Sequence, residues 1–194
     1  PFTLRQGVLV FGTTFGYGVT DFFQISTNVL KDFYRIYNVG AKLSFLDTEL
    51  VAMALTFEYE FFNYKQVVGS GPNAQIVSKK PGIVTSWGVL PRFAVFVGGN
   101  ADFTTITDTG ADTSGYVQGS RAEMDFAWAY QPPTKKRDIS NVISWGVSYD
   151  ITYSMLGFGV SHHWPGFQLG VHYYPDATKH PIQPIIVGGG AVQL

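Results

Sequence analysis

The stretch LVAMALTFEYEFF, residues 50–62, decides the fold. Every second residue from Val51 gives Val51, Met53, Leu55, Phe57, Tyr59 and Phe61, and the intervening set is Ala52, Ala54, Thr56, Glu58 and Glu60. A β-strand sends successive side chains to opposite faces. One face of this strand is therefore a wall of large apolar groups. The other is small at its start and doubly acidic at its end.

The same period of two recurs along the chain, and helical periodicity is scarce. Extended runs are read over residues 4–18, 22–30, 36–46, 83–97, 116–130, 139–150, 156–164, 167–174 and 182–194. A polar break covers 31–35, a Gly/Pro/Asn/Ser/Lys-rich loop 67–82 and a second loop 131–138. Pro91 predicts a bulge or an edge within its run, because proline cannot donate to a ladder. Residues 98–115 read ambiguously, with a short strand near 101–107. The count is ten or eleven strands in a single domain, 1–194. YGVTDFFQI (17–25) echoes YDITYSMLG (149–157), which predicts two hairpins of similar geometry at the same end of a sheet.

Composition narrows the class. Charged residues are 14 % of the chain and aromatics 16 %, with 22 glycines, 11 tyrosines and no cysteine. So much apolar surface excludes disorder. A formal net charge of −1 without a basic stripe argues against nucleic-acid binding. The absence of cysteine excludes disulfides and thiolate metal sites. No apolar run approaches the roughly 18 residues of a spanning helix. Because Pro1 leads almost at once into strand-like sequence, a mature chain with its leader gone is expected.

The two faces then decide the surroundings. A soluble barrel would turn its large apolar face inward and carry Lys, Glu, Arg and Thr outside. Here the second face is mostly Ala, Gly, Ser and Asn, with charges of both signs: Lys42, Glu58, Glu60, Arg92, Arg121, Glu123, Asp125 and Asp150. Small residues with balanced charge describe a crowded polar interior. The bulky face carries Phe57, Tyr59, Phe61, Trp87, Trp128 and Trp145, with aromatics concentrated near strand ends, as in the girdles of a membrane barrel. These six are expected to face lipid.

The alternating runs, the YGVTD and DIT turns, the long Gly/Pro/Lys loop and the Tyr/Trp-rich strand ends resemble a small Gram-negative outer-membrane β-barrel protein over nearly the whole chain. The resemblance is one of pattern. It implies an all-β antiparallel transmembrane barrel of about 8–12 strands, porin-like or structural in the cell envelope, with membrane lipids as its surroundings. The chain departs from it in ending AVQL instead of on an aromatic; LGVHYYPD (169–176) looks more like such an ending.

Residues 7–17 and 185–192 lack a polar face. A strand that is apolar on both sides should be covered on both sides. The expectation is that the chain ends form contacts between protomers, or a wall with lipid on both faces, in a homo-oligomer; packing on a local apolar plug is the alternative.

Sites with chemistry are few. The interior charges either line a pore or form a salt-bridged plug. Ser161-His162-His163-Trp164 raises a lipid-modifying hydrolase, but neighbours point to opposite faces and no orienting acid is identifiable. His172 and His180 are too scattered for a metal site. Lys79-Lys80 and Lys135-Lys136-Arg137 read as loop charges. GGNAD (98–102) and GGGA (188–191) precede no helix and fit no phosphate loop. No catalytic residue, cofactor or metal is expected. The rival fold is a soluble calyx-type barrel holding an apolar ligand.

Overall fold

The structure is a computed structural model describing residues 4, 6–48, 50–65, 73–90, 92–108, 113–129, 142–151, 154–164, 167–175 and 182–193. Among the described residues the elements follow in order: β1 (Val8–Gly12), β2 (Thr14–Thr20), β3 (Phe23–Asn28), α1 (Val29–Phe33), β4 (Tyr37–Asp47), β5 (Val51–Asn63), β6 (Ala74–Leu90), β7 (Phe93–Asp108), β8 (Thr113–Ala129), β9 (Val142–Asp150), β10 (Met155–Trp164), β11 (Phe167–Tyr173) and β12 (Ile182–Gln193).

Every strand pairs antiparallel with its sequence neighbours, and β1 also pairs with β12, so the sheet closes on itself. The closing ladder runs over five positions, from Val8 opposite Gln193 to Gly12 opposite Gly189. The β1–β2 hairpin is the thinnest seam, with Leu9 opposite Tyr17 and Val10 opposite Gly16. With an even strand count, the start of β1 and the finish of β12 lie at the same end of the barrel, here the near end.

Several sequence boundaries shift. Residues 4–18 form two strands rather than one, turning at Thr13. The run 83–97 is divided between β6 and β7, with a register shift between Gly88 and Leu90 just before the turn. Pro91 itself lies outside the described residues. The loop expected over 67–82 gives way at Ala74, where β6 begins, and residues 98–115 belong mostly to the long strands β7 and β8. The two echoing hairpins, β2–β3 and β9–β10, sit at opposite ends of the barrel, because an odd number of strand reversals separates them. Residues 182–193 are the closing strand. The chain ends therefore pair with each other inside one chain, so no second protomer is needed to complete the ladder.

Turn chemistry fixes the hairpins locally. At β4–β5 the Thr48 hydroxyl accepts from the Val51 amide (2.9 Å) and donates to its carbonyl (2.8 Å), pinning the register at the start of β5. Phe45 is a bulge: Ser44 lies opposite Ala54, but Leu46 lies opposite Met53.

Register carries one face around the ring. Ser44, Ala54, Val84, Gly98, Glu123, Ser148 and Gly157 are successive cross-strand partners on β4 to β10. The adjacent row is Leu43, Leu55, Ile83, Gly99, Ala122, Tyr149 and Leu156. Exposure separates the two. Ala54 is 0 % and Ser148 5 % accessible, whereas Leu55 is 48 % and Ile83 46 %. Among the described residues the buried set is Ala, Ser, Gly and one tyrosine, Tyr174, and no large side chain is fully buried. The bulky face is outside.

Candidate functional site

The small residues on the inner face follow from geometry. Closing a sheet crowds its concave side, and polar side chains must lie across neighbouring strands, so those neighbours carry glycine. Asp125 on β8, Gly146 on β9, Gly159 on β10 and His172 on β11 are successive partners. A Cβ on Gly146 would overlap the Asp125 carboxylate, and one on Gly159 would come within 2.6 Å of His172 Nε2. On the other wall, a Cβ on Gly40 would meet Ser26 Oγ at 2.7 Å and one on Gly82 would meet Thr56 Oγ1 at 2.6 Å.

The interior charges form two groups. The first is organised by Glu60 on β5, whose carboxylate takes Lys31 on one oxygen and Lys80 on the other, the latter at 3.2 Å. Lys80 also approaches Asp102 at 3.7 Å, and Asp102 accepts from Ser78 (2.6 Å) and Thr104 (2.8 Å). Lys31 arrives from α1, a five-residue helix too short to be stable by itself. Its ends are capped. The Asn28 side chain accepts from the Lys31 amide at 3.1 Å, while Arg35 and Ile36 donate back to Asp32 and Lys31 carbonyls at 2.9 Å each. Arg35 holds φ 61°, the left-handed conformation this ending requires. Asn38 further binds Asp32 (3.0 Å) and the Asn28 carbonyl (3.1 Å), tying α1 to β4.

The second group lies on β8 to β11. Arg121 Nη2 is 3.8 Å from Glu123 and 3.4 Å from His172 Nδ1, which is also 3.4 Å from the Tyr174 hydroxyl. Arg121 lies opposite Asp150, and Glu123 opposite Ser148. Arg121 Nε and Ser148 Oγ have no protein hydrogen-bond partner among the described residues.

Lys42, Glu58, Glu60, Arg121, Glu123, Asp125 and Asp150 thus stand at inward register positions. Arg92 does not: it is exposed in the β6–β7 turn, because the strand ends at Leu90. Sequence reading missed Lys31, Lys80, Asp102, His172 and Tyr174. Lys80 and Asp102 sit at inward positions of β6 and β7, in stretches whose composition reads as loop (67–82) or is ambiguous (98–115). Lys79, its neighbour, is exposed on the outer face beside Tyr59 and Phe103. Ser161 is buried and its hydroxyl lies 2.7 Å from that of Ser144. The His163 side chain lies outside the described set, as do residues 135–137 and His180.

Outside, Phe57 (42 %), Trp87 (37 %), Trp128 (43 %) and Trp145 (42 %) are exposed, and Tyr59 and Phe61 share their face. Near one end Phe93, Phe126 and Trp145 cluster with centroids 6.1–6.2 Å apart; near the other Tyr37 stacks on Phe61 at 6.5 Å.

Between the walls near α1 lies a polar cavity of about 100 Å³, lined by Thr14, Ser26, Asn28, Lys31, Asn38, Glu58 and Glu60, among others. The N-terminal segment lies against part of the inner face of β2. Gly7, at φ 76°, turns the N-terminal segment back, and Leu4 Cδ1 would lie 3.3 Å from a Cβ on Gly16. The Leu4 amide donates to the Gln24 side chain at 2.9 Å.

Comparisons with protein-family models, curated proteins and solved structures returned no match.

Proposed function

We propose that this protein is an integral outer-membrane β-barrel of porin-like or structural role, with lipid against its outer face and a polar, ion-paired lumen. One observation carries the reading: apart from Phe96 and the row Phe62, Ile76 and Ile106 near one end, the large apolar side chains of the long strands lie outside and small or ionic ones inside. A soluble calyx would place Phe, Trp and Leu inward and spread charge outward. Exposure of this much apolar surface is unfavourable in water, at about 25 cal/mol per Å², and favourable against acyl chains.

The height of the apolar band agrees. On β7 the outward positions run from Phe93 to Phe103, beginning opposite Trp128 and ending opposite Gln118. Ten residue steps of about 3.4 Å, tilted by about 40–45°, make a band roughly 25 Å tall. Above it Gln75, Thr105, Thr107 and Ser114 join Phe61, Val77 and Tyr116 at the outward positions, and Lys79 stands at the edge, where its ammonium reaches water. Closure of the sheet gives every strand two neighbours, as a non-helical chain requires in hydrocarbon. Twelve strands exceed the roughly eight whose side chains just fill a barrel, which favours a lumen over a solid core. The ring closes within one chain, so this reading does not require a homo-oligomer.

The test is depth-resolved tryptophan quenching in vesicles carrying brominated lipids. Bromines near the headgroups should quench strongly, since three of the four tryptophans, Trp87, Trp128 and Trp145, are outward and near the strand ends. Monodisperse behaviour in detergent-free buffer, with no quenching at any depth, would reject the membrane reading in favour of a soluble barrel.

A further inference from the structure

Resting on that reading of a water-filled lumen, we infer that the passage prefers small cations to anions and that Glu58 sets the preference. The inward register positions carry eight carboxylates: Asp47, Glu58, Glu60, Asp102, Asp108, Glu123, Asp125 and Asp150. Against them stand four fixed cations, Lys42, Lys80, Arg121 and, from α1, Lys31. Eight against four leaves four negative charges among the described residues, and Asp32 stands beside Lys31 on α1.

The distribution matters more than the sum. Lys31 and Lys80 both bind Glu60, Lys80 also leans on Asp102, and Arg121 is beside Glu123. The Lys31 and Lys80 ammonium groups therefore share Glu60, with Asp102 as a second partner of Lys80. Glu58, the next inward carboxylate on β5, has no ion-pair partner among the described residues. It lines the polar cavity and remains exposed although it faces inward.

Its surroundings complete the argument. Glu58 lies between Gly40 on β4 and Lys80 on β6; the space at Gly40 is taken by Ser26 Oγ, and the cavity lining beside the Lys31 ammonium is oxygen-bearing: Thr14, Ser26, Asn28 and Asn38. A carboxylate open to water beside hydroxyl and amide oxygens replaces part of the hydration shell of an alkali ion or small protonated amine, and repels an anion. Lys42, the next inward cation on β4, opposes this effect from a more buried position and has no ion-pair partner of its own among the described residues.

The experiment is the reversal potential of the purified full-length protein in planar bilayers under a tenfold KCl gradient, with circular dichroism confirming the β fold of each variant. The wild type should reverse on the cation side. Glu58→Gln should lower the potassium-to-chloride permeability ratio about threefold at low salt, the effect of one unit charge a few ångströms away in a watery lumen. Glu58→Asp should restore the ratio and Lys42→Met should raise it. The preference should fade near 1 M salt, where the screening length falls to about 3 Å. Conductance that reverses at zero or on the anion side overturns this inference while leaving the channel intact. An unchanged ratio in Glu58→Gln removes Glu58 as its cause. A folded, inserted protein that passes no current refutes the passage itself.

Discussion

Replacing Leu55 with arginine separates a lipid-facing barrel from a water-facing one, because the side chain is outward and 48 % exposed. Outward positions on β5 run from Val51 to Phe61. With a rise of about 3.4 Å and a tilt of about 40–45°, Leu55 stands about 10 Å from one edge of the band and about 15 Å from the other, close to its middle. Arginine at a bilayer midplane costs about 2–4 kcal/mol, falling to about 0–1 kcal/mol near the interface. Leu55→Arg should therefore destabilise by about 2–4 kcal/mol. Val51→Arg, at the level of Trp87, should cost about 1 kcal/mol or less. Both variants keep all four tryptophans, so equilibrium unfolding from vesicles in guanidinium, followed by tryptophan fluorescence, measures them on one scale. A half-exposed site on a soluble surface tolerates such a change within about 0.5 kcal/mol at either depth. Equal, near-zero costs for the two variants would refute the lipid-facing argument.

Four further outcomes test the interior. Gly146→Ala should destabilise by about 1–3 kcal/mol through overlap with Asp125; Gly115→Ala, with nothing within 4 Å of its Cβ, should be neutral or stabilise by about 0.5–1 kcal/mol, both read by the same unfolding titration. Glu60→Gln removes the partner of two ammonium groups and should cost about 1–3 kcal/mol, and adding Lys31→Ala should recover part of that loss in a double-mutant cycle. Arg35→Gly relieves the left-handed backbone at the end of α1 and should raise stability by about 1 kcal/mol; a loss would mean that the arginine side chain outweighs the backbone term. Leu4→Ala should loosen the N-terminal segment over Gly16, detected as faster proteolysis upstream of Gln6 with the barrel intact.

The alternation in LVAMALTFEYEFF carried the strand, its two faces and the small-and-acidic character of the inner one, because a period of two is local and survives any tertiary arrangement. The same logic placed Glu58, Glu60, Arg121, Glu123 and Asp125 on one side, and Phe57, Trp87, Trp128 and Trp145 on the other. It failed where alternation was interrupted by turn-like composition. Lys79-Lys80-Pro81 reads as loop, yet β6 passes through it: Pro81 is register-paired with Phe57 on one side, and the ladder to β7 skips Lys80 and Pro81. Arg92 was lost for the converse reason, since two alternating runs joined by a short turn look like one.

Sequence alone therefore determined an antiparallel sheet with a bulky and a small polar face, for that follows from side-chain size at alternate positions. Tertiary structure decided that β12 returns to β1, that Lys31 reaches Glu60 from a helix 29 residues upstream, and that glycines on β9 and β10 make room between Asp125 and His172. Those relations depend on curvature and register around a closed ring, which no single strand encodes.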